Sequence, residues 1–426
     1  MPFVKWFTSR TVRHAWQAAK HVEKILQHQR DLLSNEAIAG VQADIDNLRT
    51  VCRAGDKPAV RESLARLEKS ANKWLKPYPN SSLRENVEVA LVAIAVAMGI
   101  RTFFLQPFKI PTGSMQPTLY GVTDENLIGQ TNVSTPGIVG GFFDYWFNGV
   151  SYKRVVARAD GQFVGATEPT KLVLFNLKQT IKVGDETYTI WFPPDDLLKR
   201  SGLINDCRQP TMRLFQKGQD IINLRVVAGD HLFVDRITYN FSRPHRGDVV
   251  VFETHGITRL GRDQQDTYYI KRLCGLGGET LQLKKDVDIT SAPTYYDPST
   301  CTQKLETIPA GHLVVDGHEI TAATPHFEYL YSFQNMDRAT KTMPYLANHY
   351  HGHAMIMSFA NGGPVHVPPN HYFVMGDNTF NSSDSRFWGD FEENKVIGKS
   401  FFVYWPIGST MFKGEKRESR FGWAHR

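Results

Sequence analysis

The chain has 426 residues, room for two or three domains at about 100–200 residues each. Hydrophobic residues make up 41% and charged residues 22%, which excludes a wholly disordered chain, and a mean hydropathy of −0.34 excludes a multi-span membrane protein while allowing one span. The net charge of +6 resides in residues 1–86, which carry 15 Lys and Arg against 9 Asp and Glu, so a nucleic-acid-binding surface spread over the chain is not indicated.

Residues 10–76 read as helical. Val12, Trp16, Ala19, Val22, Ile25, Leu26 and Leu32 recur close to a 3.6-residue period, and a second run covers 36–53 with Gly55 as its stop. Asp56 and Pro58 restart a helix whose apolar face is Val60, Leu64, Leu67, Ala71 and Leu75. Two or three such helices can fold back on one another or pack on a partner. Residues 76–82 (KPYPNSS) are a breaker cluster and mark a boundary.

Residues 87–105 (VEVALVAIAVAMGIRTFFL) come to about 28 Å as a helix, close to the thickness of a bilayer core of about 30 Å. Glu88 lies near one end, and Arg101 can snorkel toward the other. A buried core helix is the competing reading. A basic flank before the run and a non-helical segment after it favour a span, and the distance from Met1 argues against a cleavable leader. Lys69, Lys73, Lys76 and Arg84 place the N-terminal side in the cytosol, so everything after residue 105 faces the other way.

From residue 106 the pattern changes to short strands: DHLFVDRITY (230–239), GDVVVFE (247–253), TYYIKRLC (267–274), HYFVMGD (371–377) and KSFFVYW (399–405). Gly, Pro, Asn and Asp separate them, as in an antiparallel β domain. The segments 120–228 and 282–365 are less regular and read as insertions. The expected organisation is a helical segment at 1–82, a transmembrane helix at 83–105 and a mainly β domain at 106–426. Of the four cysteines, Cys52, Cys207, Cys274 and Cys301, three lie in the β domain, so at most one internal bridge forms there. Cys207 with Cys301 is one option.

The chain lacks a GxSxG elbow, an HExxH motif and a Walker loop. Three features carry chemistry instead. Residues 111–119 (PTGSMQPTL) hold Ser114 in stiff, non-helical backbone beside Gly113, which suits an exposed nucleophile or an ordinary turn. In 267–274, Tyr269, Lys271 and Leu273 share one face of a strand, while Ile270, Arg272 and Cys274 share the other. Burial of Lys271 between Tyr and Leu disfavours its ammonium form, and a neutral amine can take a proton from a serine hydroxyl; a Lys-Arg pair on a solvated edge strand is the alternative. Residues 376–389 (GDNTFNSSDSRFWG) gather acid, amide, hydroxyl and guanidinium groups, with Asp384 and Arg386 spaced to pair.

In this order, over about 106–119, 229–281 and 366–408, these segments resemble bacterial type I signal peptidase, a Ser/Lys endopeptidase family. The resemblance implies an antiparallel signal-peptidase-like catalytic domain, interrupted here by the two insertions. It implies Ser114 as nucleophile and Lys271 as general base, with Thr112 and the Ser114 N–H forming the oxyanion hole. Ser382 would orient the Lys271 amine, Asp384 and Arg386 would brace the site, and Asp377 and Asn378 would hold the loop. Phe108, Ile110, Pro111, Met115, Leu119, Tyr269 and Ile270 fall where the family lines shallow pockets for small P1 and P3 residues, as in Ala-X-Ala. Thr112, Gly277 and Glu279 stand where the family more often has serine, proline and aspartate.

Implied with the family are a single-pass protein of the bacterial inner membrane with its catalytic domain on the periplasmic side, signal peptides of exported pre-proteins as substrates, the lipid bilayer and the secretion machinery as partners, and no cofactor, metal or nucleic acid. A processing protease with one or few substrates and a non-catalytic peptide-binding domain are the alternatives. Phe142, Phe143, Tyr145, Trp146 and Phe147 in the first insertion suit either an interfacial anchor on lipid headgroups or a buried mini-core. His349, His351 and His353 alternate and would share a face in a strand, either as metal ligands or as part of a polar segment.

Overall fold

The computed structural model describes residues 9–76, 81–130, 135–172, 175–297, 299–333, 336–337, 339–412 and 415–424. Residues 77–80 of the breaker cluster lie outside them. The chain divides into two units, Met1–Val96 and Ala97–Arg426.

In the first unit the helical periodicity resolves into α1 (Arg10–Gln29), α2 (Asn35–Ala54) and α3 (Lys57–Trp74). Ser9 and Ser34 cap α1 and α2 by accepting from the N–H groups of Val12 (3.5 Å) and Ala37 (3.3 Å). Gly55 ends α2 in a left-handed conformation (φ 77°), and Asp56 with Pro58 opens α3. Val12, Ala19 and Leu26 of α1 meet Val41, Ile45 and Leu48 of α2 and Val60 and Leu67 of α3 in one core.

Helix α4 (Ser81–Phe103) contains the stretch Ser82–Phe103, long and apolar enough to cross a membrane and wholly unburied. The expected span reached residue 105. It stops earlier because Leu105 already pairs with Asp235 in a strand and the Arg236 N–H binds Phe104 O (3.1 Å).

The second unit is built on a mainly antiparallel sheet. Its principal strands are β1 (Leu105–Lys109), β2 (His231–Asp235), β3 (Val249–Glu253), β4 (Tyr268–Gly275), β5 (His371–Met375), β6 (Phe391–Glu392) and β7 (Val396–Trp405), in the order β1-β2-β7-β3-β4-β5-β6. Both faces of the sheet are covered, which explains the unbroken apolar run of β3. Val249 and Val251 pack with Met115, Leu119 and Leu232, whereas Val250 and Phe252 pack with Leu273, Val374 and Trp388. The strand expected at 230–239 ends at Asp235. That carboxylate accepts the N–H groups of Ile237 (2.7 Å) and Thr238 (3.1 Å) and turns the chain into a short helix, Thr238–Phe241.

The first insertion carries two small sheets and its own core of Phe163, Ile181, Leu203, Phe215 and Ile221. The second is dominated by the hairpin of Thr280–Asp297 and Thr302–Val315. Its Leu283, Leu313 and Phe327 share a core with Phe373 and Met375 of β5, so it is fused to the central sheet. A disulfide between Cys207 and Cys301 joins the insertions, and Cys52 and Cys274 are free and buried.

Candidate active site

Three segments bring the site together: the turns after β1, strand β4 and the loop after β5. Residues 110–120 leave β1 as a chain of turns, with the Ile110 N–H on Asp230 O (2.9 Å) and the Leu119 N–H on Met115 O (2.9 Å). The Gln116-Pro117 bond is cis. Gly121 packs against the backbone of Thr112 so closely that a Cβ there would stand 2.2 Å from the Thr112 carbonyl. The loop after β5 comes up from the other side: the Asn378 N–H binds Ser114 O (3.0 Å), and Asn378 Nδ2 binds Gly113 O (3.0 Å). Ser114 is thereby pinned from both flanks.

Lys271 stands between Tyr269 and Leu273 on β4. That strand pairs with β3 through Val250↔Lys271 and with β5 through Leu273↔Val374, so it is an interior strand rather than a solvated edge. The lysine is 4% exposed. Its Nζ donates to Ser114 Oγ (2.8 Å) and to Ile270 O (3.1 Å). Burial pushes its pKa down to about 8; the Asp384 and Asp377 carboxylates oppose that shift and Arg386 adds to it.

Behind the pair lie two buried ion pairs. Arg272 reaches Asp377 through Nε (2.7 Å) and Nη2 (2.6 Å), and its Nη1 binds Gly247 O and His326 O. Burial works against its charge, but the carboxylate wins and raises its pKa above the ordinary value. Asp384 accepts from Arg386 Nε (2.9 Å) and Nη2 (2.7 Å) and from the Gly376 N–H (2.9 Å). Burial raises the Asp384 carboxyl, yet Arg386 outweighs it and holds the group ionised below the usual range. Arg386 also binds Thr379 and Ala354, linking the loop to the second insertion.

Several expectations need correction. Ser382 makes no hydrogen bond to Lys271. Its buried Oγ faces the Asp384 carboxylate instead, while Lys271 turns to Ser114 and to the Ile270 carbonyl. Ile110, Met115 and Leu119 do not line an open groove but are buried in the core beneath the serine, where β2, β3 and β7 need apolar cover. Pro111 and Thr112 are exposed, and Phe108, Tyr269 and Ile270 are half-buried. Among the described residues neither the Ser114 N–H nor the Thr112 hydroxyl has a hydrogen-bond partner. His351 binds Met343 and Leu346 O, while buried His353 lies beside Cys274, so the alternating histidines do not converge. Glu279 takes the Leu276 N–H (2.7 Å) and pairs with Arg246, fixing the turn in which it and Gly277 replace the commoner residues.

Sequence reasoning missed Arg272 and Thr118. Thr118 donates to Asp377 and so accepts from Tyr350 OH (2.9 Å), a residue of the second insertion. No local pattern marks these contacts; only the excess of charge in a strand with apolar neighbours hinted that Arg272 has a buried partner.

The fold and the site together define a mainly β unit that buries a hydrogen-bonded Ser114–Lys271 pair. The family model for signal peptidase, peptidase S26, matches residues 83–142 and 223–405, more than half of the chain. The chain belongs to the signal peptidase, peptidase S26 family. It is 24% identical over 184 residues to a signal peptidase I of Leptolyngbya laminosa, covering 42% of this chain and 62% of that protein. It is 30% identical over 180 residues to a signal peptidase I of Bacillus amyloliquefaciens, covering 42% and 66%. The chain thus spans less than two thirds of the length of these relatives. A crystal structure of a signal peptidase I from Enterococcus faecalis aligns with 37% of this chain and 97% of that chain, at 22% identity and a TM-score of 0.23.

Proposed function

We propose that the chain is a membrane-anchored serine endopeptidase that removes N-terminal signal peptides from exported pre-proteins after small residues. The observation that carries this reading is the 2.8 Å contact between Lys271 Nζ and Ser114 Oγ in a buried setting. Once Lys271 loses its proton, Nζ becomes the acceptor. It takes the Ser114 hydroxyl proton as Oγ attacks the scissile carbonyl. The oxyanion that forms meets the unpaired Ser114 N–H and the exposed Thr112 hydroxyl; in other proteases such a donor contributes about 3–4 kcal/mol. Lys271 then gives its proton to the departing amine, and the acyl ester on Ser114 is hydrolysed by water that Lys271 deprotonates in turn. Asp377, Asn378, Asp384 and Arg386 hold the two segments in register. Phe108, Pro111, Tyr269 and Ile270 are the residues left to meet the substrate, which docks as an added strand.

Helix α4 is the membrane span in this reading, with the basic N-terminal unit in the cytosol and the catalytic unit on the exported side. The experiment is cleavage of several unrelated pre-proteins by the purified full chain in detergent. Cut sites after Ala-X-Ala in most of them are expected. Cleavage of none, or cleavage with no preference for small residues, overturns the reading.

A further inference from the structure

The helical segment Ile138–Phe143 and the turn of helix Asp144–Asn148 that continues it contain no buried residue. Ile138, Val139, Phe142, Phe143, Tyr145, Trp146 and Phe147 are between 48% and 94% exposed. At about 200 Å² per aromatic ring, the five rings alone present on the order of 500 Å² of apolar surface. That is about as much as the largest apolar patch of a typical soluble monomer before the aliphatic residues are added. A buried mini-core, the alternative read from the sequence, is ruled out by this exposure.

The segment is nevertheless firmly held. The Trp405 indole N–H donates to Trp146 O (2.7 Å), and the N–H groups of Ile407 and Gly408 donate to Phe147 O (2.9 and 2.8 Å). Its one charged side chain, Asp144, is turned to Asn148 Nδ2 (2.8 Å) and Tyr152 OH (3.0 Å). The outward face is therefore uncharged, rich in Trp, Tyr and Phe, and mounted on a fixed base.

We propose that this segment is a second, monotopic anchor that lies in the interface of the same bilayer that α4 crosses. It rests on the reading of α4 as a span. The occupant follows from position and chemistry. Helix α4 ends at Phe103 and β1 begins at Leu105. Lys109 at the far end of β1 pairs with His231, and His231 pairs with Trp405. Four residue steps of about 3.3 Å and two strand spacings of about 4.8 Å put Trp405 roughly 16 Å from Leu105, the residue two beyond the end of the span. An uncharged aromatic surface that close to a membrane exit suits the headgroup boundary, where the ring bodies are apolar and the Trp and Tyr tips are wet. The catalytic unit is then held at two points, which fixes its tilt on the membrane.

The test uses the full chain in vesicles of equal parts phosphatidylcholine and phosphatidylglycerol. A Val139→Cys variant carries an environment-sensitive fluorophore; the native cysteines are buried or disulfide-bonded and do not compete. A Val92→Cys variant labelled in the same way reports on α4. Quenching of both probes by brominated acyl chains is the expected result. Quenching at Val92 alone, with Val139 open to aqueous iodide, overturns the anchor and leaves the span. Shielding of Val139 from both quenchers overturns it in favour of a protein cover, such as a second copy. No acyl-chain quenching at Val92 defeats the span and the anchor with it.

Discussion

Protonation of Lys271 offers the sharpest perturbation. Burial lowers its pKa from 10.5 to about 8. At pH 7 about one lysine in ten is then neutral and able to act as base, against roughly one in three thousand for an exposed lysine. The value of kcat/KM is expected to rise about fifty-fold between pH 6 and pH 8 and only about two-fold beyond. The same burial has a stability consequence. Between about pH 8 and pH 10.5 the folded state binds fewer protons at this side chain than the unfolded chain, so wild-type stability rises with pH across that window. At pH 7 the buried ammonium costs about 3 kcal/mol. Lys271→Met removes that cost and also the hydrogen bonds to Ser114 Oγ and Ile270 O, at about 1 kcal/mol each. The variant is therefore expected to be about 1 kcal/mol more stable than wild type at pH 7 and about 2 kcal/mol less stable above pH 10.5. Urea unfolding followed by tryptophan fluorescence, at both ends of the range, measures the crossover. A rate profile centred near 10.5, or a stability difference that does not change with pH, refutes the burial argument; a profile centred near 6.5 points to a histidine base.

Other substitutions probe the supporting structure. In Gly376→Ala the new Cβ stands 2.2 Å from Ser382 Oγ and 2.5 Å from Ser114 O, so the Ser114 segment has to move; a loss of about 100-fold in kcat/KM is expected, and wild-type rates would contradict the packing. Arg272→Met leaves the wholly buried Asp377 uncompensated, and chemical denaturation is expected to show a loss of about 3–5 kcal/mol, partly recovered by Asp377→Leu in the same chain. Replacing Cys207 and Cys301 by serine opens a link across 94 residues of sequence, with an expected loss of about 4 kcal/mol; reduction of the wild type should reproduce it, and an unchanged midpoint would show that the insertions do not depend on the bond.

The sequence was most informative where structure is local. Gly55, Asp56 and Pro58 mark a helix boundary through backbone geometry alone, and the structure has that boundary. The burial of Lys271 was not legible in its strand pattern, which suited a solvated Lys-Arg edge pair as well; pairing with β3 and β5 on either side, set by residues far along the chain, is what buries it. What the sequence did not disclose depends on contacts distant in the chain. Arg272 finds Asp377 105 positions away, and Thr118 meets Tyr350 232 positions away. The same limit explains the misplaced pocket residues. Met115 and Leu119 lie beside the serine in sequence, but turns at 113–119 send both beneath it into the core. The five-ring run at 142–147 was readable as apolar, but whether it faced a core or the outside depended on Trp405, Ile407 and Gly408, far along the chain.

The most direct test of the central claim is cleavage of a pre-protein with an Ala-X-Ala site by the purified full chain, beside Ser114→Ala and Lys271→Ala variants confirmed to be folded. The account predicts cutting by the wild type and none above background by either variant. Cleavage that survives in either would show that the buried Ser–Lys pair is not the reaction centre.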